Sequence, residues 1–159
     1  MGVFLIILVA AAAFGGYLFL NYKKKVELLK SGKIIDRDSE FLKQIQYFTT
    51  KTESMKEISD TIDKESLQEE GLSVLYNKET NVIVFRVDRA NNSFVSIFCL
   101  LSRQSDGRFQ YRYQIETWSG REGGMSQKDI LSANMALTAI EKALLKLDNK
   151  TDIKSLRAN

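Results

Sequence analysis

Residues 93–118 read SFVSIFCLLSRQSDGRFQYRYQIETW. The second half alternates. Phe109, Tyr111, Tyr113 and Ile115 share one parity, and Arg108, Gln110, Arg112, Gln114 and Glu116 share the other. A period of two with one apolar and one polar face predicts a strand at an edge or with one face wet. The first half is apolar on both parities, with Phe94, Phe98 and Leu100 on one and Val95, Ile97, Cys99 and Leu101 on the other. Such a run predicts a central strand covered on both faces. Ser105-Asp106-Gly107 between the two is a turn sequence.

Two more strands precede this pair, Leu72–Tyr76 and Val82–Val87, separated by the turn Asn77–Asn81 and followed by Asp88–Asn92. Connections this short join antiparallel neighbours, so the expectation is a four-stranded antiparallel meander in sequential order. After the fourth strand comes the loop Ser119–Gly124. Ser126 then caps a helix, and Asp129 completes a capping box. Its apolar residues Ile130, Ala133, Leu137, Ile140, Leu144 and Leu147 recur at threes and fours, a stripe that packs on the sheet.

Upstream of the strands, Phe41, Leu42, Ile45 and Phe48 predict a short helix over residues 39–48, with Asp36, Asp38 or Ser39 as its cap. Thr50–Glu53 and Ser54–Glu57 both have capping-box spacing. Met55, Ile58 and Ile62 predict a second helix, ending before Gly71. Its acidic end, Glu65, Glu69 and Glu70, reads as solvated. Residues 149–159 are polar and read as a frayed tail.

The chain begins MGVFLIILVAAAAFGGYLFLNYKKK. Val3–Leu20 contains no charged residue. At ~1.5 Å per residue it reaches roughly 27 Å, close to the ~30 Å hydrocarbon core of a bilayer. Lys23, Lys24 and Lys25 follow as a basic stop. The positive-inside rule then predicts the N-terminus outside and the C-terminal domain in the cytoplasm. A cleaved signal peptide lacks its basic n-region here. Ile6 stands where a myristoylation motif needs Ser or Thr. Ala11 and Gly15, like Ala12 and Gly16, have the small-residue spacing of a helix–helix contact.

The resulting expectation is an α+β chain in the order α-α-β-β-β-β-α, behind a transmembrane helix. Residues 1–25 are the anchor, 26–38 a juxtamembrane helix end and connector, 39–148 the folded domain and 149–159 the tail. Val26, Leu28 and Leu29 carry the first helix onward, and Gly32 is placed to terminate it.

Composition narrows the chemistry. There is no histidine, which removes the usual general base and zinc ligand. The single cysteine, Cys99, allows no internal disulfide and reads as a buried, inert thiol. Net charge is +3, which the three juxtamembrane lysines account for, so the domain itself is neutral. That argues against nucleic acid as a partner. No motif for a metal, a cofactor or a catalytic residue stands out.

Remaining candidates for contact are Arg108, Arg112 and Glu116 on the fourth strand, with Arg86 beside them, and Arg121 in the glycine loop. They are placed for a protein partner or an anion, and the bland alternative is ion pairing on a wet sheet face. Trp118 fits either a packed sheet end or an exposed contact. The function expected from all this is non-enzymatic: an interaction or accessory subunit held at the lipid bilayer, with a protein partner or a second copy. The alternatives are an exported pilin-like structural subunit, and a membrane-tethered enzyme or small-ligand binder.

Overall fold

A computed structural model describes residues 2–87, 94–118 and 125–157, without the side chains of residues 2–5, 7 and 8. The elements are α1 (Gly2–Lys30), a one-turn 3-10 helix (Ser39–Lys43), β1 (Gln44–Thr50), α2 (Met55–Thr61), α3 (Lys64–Glu69), β2 (Leu72–Asn77), β3 (Val82–Val87), β4 (Val95–Arg103), β5 (Phe109–Thr117), α4 (Gln127–Leu147) and β6 (Asp152–Arg157). The fold is α+β. Its sheet is antiparallel throughout, in the order β2-β3-β4-β5-β1-β6.

The meander β2 to β5 forms in the expected order, with strand bounds within two residues of those expected. Asn81 takes a positive φ of 53° and Gly107 one of 83°, the left-handed positions that let these turns reverse the chain. The sheet then continues past β5, and three expectations are corrected. Residues 44–50 are a strand, not the second half of a helix. QIQYFTT is rich in aromatic and β-branched residues, and β1 gains ladders on both sides, Phe48 opposite Tyr111 and opposite Ile153. Only Ser39–Lys43 turns helically, capped by the Asp38 carboxylate, which accepts from the Glu40 N–H at 3.0 Å. Residues 152–157 are the edge strand β6 rather than a frayed tail. β5 therefore lies inside the sheet, between β4 and β1, so it is no edge strand, while its one wet face is as expected.

A fourth correction concerns β4, which is covered on one face only. Ser96 and Phe98 are buried, Val95, Ile97 and Cys99 are half-buried, and Leu101 is exposed. A register shift between Leu100 and Ser102 breaks the alternation and turns Leu100 out as well. The expected second helix is also two helices. Ile62 is extended, and the Asp63 carboxylate starts α3 by accepting from the Ser66 N–H at 3.1 Å.

The core lies between one sheet face and the helices. Phe98 stacks on Tyr111 with ring centroids 5.1 Å apart and meets Phe48 edge-on at 5.7 Å. Ile140 and Leu144 of α4 are buried in the same cluster. Tyr113 donates to the Ala133 carbonyl at 3.2 Å, which satisfies its buried hydroxyl. α4 is buried around most of its circumference from Leu131 to Leu144, so it has cover on its outward side too.

The expected transmembrane helix is not supported by the described residues, among which no helix is long and apolar enough to cross a membrane. The helix α1 itself is continuous over Gly2–Lys30. Its uninterrupted run of described apolar side chains is Val9–Leu20, which rises only ~18 Å.

Candidate functional site

The second half of α1 is part of the domain. Leu28 is 1% exposed and belongs to the core cluster, worth ~2 kcal/mol of burial. Asn21, Lys24 and Leu28 share a cavity of about 130 Å³ with Val87 of β3 and with Lys128 and Leu131 of α4. One turn past Leu28, Lys142 donates to the Gly32 carbonyl at 2.5 Å. The last turns of α1 and the residue that follows it thus lie beside the start and then the later part of α4, so the two helices run in the same direction.

Charge pairs fasten this seat. Lys24 meets Glu70, at the end of α3, at 2.6 Å, and Lys33 meets the other Glu70 oxygen at 2.9 Å. Lys25 pairs with Asp36 at 2.9 Å. Burial pushes the Glu70 carboxyl up, but hydrogen bonds and charge from Lys24 and Lys33 outweigh it and hold the pKa below the usual range. The hydrogen bond to Glu70 in turn raises Lys33. Of the acidic end expected to be solvated, Glu65 and Glu69 are exposed, while Glu70 is the receptor for α1. Two of the three stop lysines are ion-paired to the domain, while Lys23 is exposed.

Residues 31–38 form a strap over α4. Gly32 ends α1 with φ +68°, and a Cβ there would meet Lys142 Nζ at 3.1 Å. Ile34 is buried. Asn134 donates to the Ile35 carbonyl at 2.8 Å, and Thr138 donates to Asn134 Oδ1 at 3.1 Å. Arg37 pairs with Glu141, both largely buried. Desolvation raises the Glu141 pKa against the opposing pull of Arg37. The pair opens into a cleft lined also by Gln44, Gln46 and Ser155. Sequence reasoning missed these residues. Their mark was a second stripe on α4, Asn134, Thr138 and Glu141, at spacings of four and three beside the apolar one.

No family model, curated protein or solved structure matches the chain.

The structure disperses the other expected contact residues. Arg108 precedes β5 and pairs with Asp106 in the turn at 2.7 Å. Arg112 faces the open side of the sheet, between Cys99 of β4 and Tyr47 of β1. Its Nε is buried without a hydrogen-bond partner among the described residues. Glu116 is exposed at the far end of β5 and accepts from the Gln114 amide. Arg121 and its glycine loop lie outside the described residues, as does the turn 88–92. Cys99 is half-buried on the open face rather than buried.

That open face carries a cross-strand row, Leu75 opposite Val84 and Val84 opposite Ile97, which ends on Gln114. None of these side chains is fully buried. On α1, Ala11, Ala12, Gly15 and Gly16 are exposed, and apart from the adjoining helix no described atom lies within 4 Å of where a Cβ on either glycine would be. Among the described residues no group of His, Cys, Asp or Glu is placed to hold a metal ion.

Proposed function

We propose that the chain is a single-pass membrane-anchored subunit whose small cytoplasmic domain binds a protein partner of a membrane-associated assembly and performs no chemistry of its own. The observation that carries this reading is the exposed apolar stretch Val9–Leu20 of α1. From Val9 to Leu20 every residue is uncharged and exposed, Phe14 and Leu20 at 64% each, and only Tyr17 carries a polar group. A helix apolar around its whole circumference needs cover, and lipid supplies it. Val3–Val9, uncharged in sequence, extends the same helix toward a full span. The lysines at its end favour the cytoplasmic side for the domain.

Two features support binding over catalysis. The space between sheet and α4 is filled by Phe109, Tyr111, Ile140 and Leu144, all buried. The opposite sheet face presents the row Leu75, Val84 and Ile97 beside the polar residues Arg112, Gln114 and Glu116, the mixed character of a contact surface. The experiment is photo-crosslinking in intact membranes from a reactive residue placed at Ile97, with Glu57 as the control position. A protein adduct from 97 and none from 57 is expected. Absence of any protein adduct overturns the interaction reading. A C-terminal reporter active only outside the cell overturns the topology and favours the exported, pilin-like alternative.

A further inference from the structure

Because α1 is seated on the domain, the level at which its apolar run ends fixes what else lies at that level. Lys24 and Asn21 share a cavity with Lys128, in the first turn of α4, and with Val87, the last residue of β3. Leu20 is one turn earlier on α1, ~6 Å along the axis. From Val87 the end of the sheet can be followed strand by strand. The Val87 N–H donates to the Phe94 carbonyl at 3.0 Å, and Val95 is paired with Thr117. Trp118 comes next, two strand spacings or about 10 Å from Val87. It is 46% exposed, and Lys128 is exposed as well. The only tryptophan in the chain, and a lysine with no ion pair among the described residues, thus lie at the end of the sheet and of α4 that adjoins the point where α1 changes from apolar to charged.

We propose that this end of the domain, Trp118 and the first turn of α4, rests on the bilayer surface that α1 enters, with the indole among the lipid headgroups and the Lys128 ammonium against lipid phosphate. The proposal rests on the membrane-anchored reading above and adds a fixed orientation to it. Indole is the side chain best suited to the headgroup layer, being apolar in its rings and able to donate from its N–H. Lysine beside it suits anionic lipid. The seat of α1 leaves little room to swivel. Leu28 is buried, Lys24 and Lys33 grip one carboxylate, and no linker separates the apolar run from the seat.

The single indole makes the surface directly readable. The full chain is reconstituted into phosphatidylcholine–phosphatidylglycerol vesicles, and its retention after alkaline carbonate washing is checked first. Emission is then measured with nitroxide-labelled lipid carrying the label either on the headgroup or at the acyl terminus. The expected result is loss of Trp118 emission with the headgroup label and little loss with the terminal one. Retained protein whose emission neither label changes overturns this orientation and leaves the anchor standing. Retained protein quenched chiefly by the terminal label overturns the headgroup placement. Protein washed out of the vesicles overturns the anchor and this inference together.

Discussion

α1 and α4 are the two long helices, and they dispose of their surfaces in opposite ways. Val9–Leu20 of α1 is an apolar stretch, yet exposed. α4 carries Asp129, Asn134, Thr138 and Glu141, yet is buried on nearly every side. The difference lies in what each helix meets. Each polar group on the second stripe of α4 has a partner waiting on the strap or on α4 itself. The described residues offer no cover to Val9–Leu20 of α1. Apolarity alone does not bury a helix inside its own chain. Complementary neighbours do, and where the chain supplies none, another medium or molecule must.

The contrast is broken most severely at the strap. Arg37→Ala strands the Glu141 carboxylate in a largely buried position, and a loss of ~3 kcal/mol or more is expected. Urea unfolding of the full chain in detergent, followed by far-UV circular dichroism, measures it. Arg37→Met with Glu141→Leu should recover much of that loss, since two apolar residues leave no unpaired charge. Leu28→Ala comes next, at ~2–3 kcal/mol, because it empties a site at the centre of the α1 seat.

Glu70→Gln is smaller, ~1 kcal/mol at pH 7, since Lys24 is well exposed and the pairs are partly screened. Its pH dependence identifies the cause. The folded pKa of Glu70 lies below the ordinary value of 4.5, so its contribution is present above that value and is lost as pH falls through the folded pKa. Wild type and Glu70→Gln should therefore converge in acid and separate as pH rises past the carboxylate range. A constant gap at every pH would assign the loss to packing instead. The smallest effect is expected at Phe14→Ala, within ~0.5 kcal/mol of wild type in domain unfolding, because the domain does not touch that side chain. A loss several times larger would mean that protein, in the form of a second copy, covers Val9–Leu20 of α1.

Much of this arrangement was legible in the sequence where local pattern and tertiary context agree. Turn residues bound β2 to β5, and the apolar stripe of α4 faces the sheet as its spacing requires. Ser54 and Ser126 both cap, accepting from the N–H of Glu57 and of Asp129. The pattern failed at the other end of the sheet. Ile45 and Phe48 fit a helical period with Phe41 and Leu42, and only pairing with β5 and β6 makes residues 44–50 a strand. In β6, Ile153 and Leu156 fall on opposite parities and the whole strand is exposed, so its ladder is held by backbone groups that leave no mark in side-chain pattern. The α1 seat was hidden for a different reason. Lys24 and Glu70 lie far apart in sequence, and each has an ordinary local explanation, a stop charge and a helix end. Only the fold brings them together.

The proposed anchor requires that lipid cover the exposed stretch Val9–Leu20 of α1. Alkaline carbonate extraction of membranes from cells producing the full chain tests it most directly. Retention in the membrane pellet, with loss to the supernatant when Val9, Phe14 and Leu18 are replaced by lysine, is the predicted result. Release of the unaltered chain into the supernatant would contradict it.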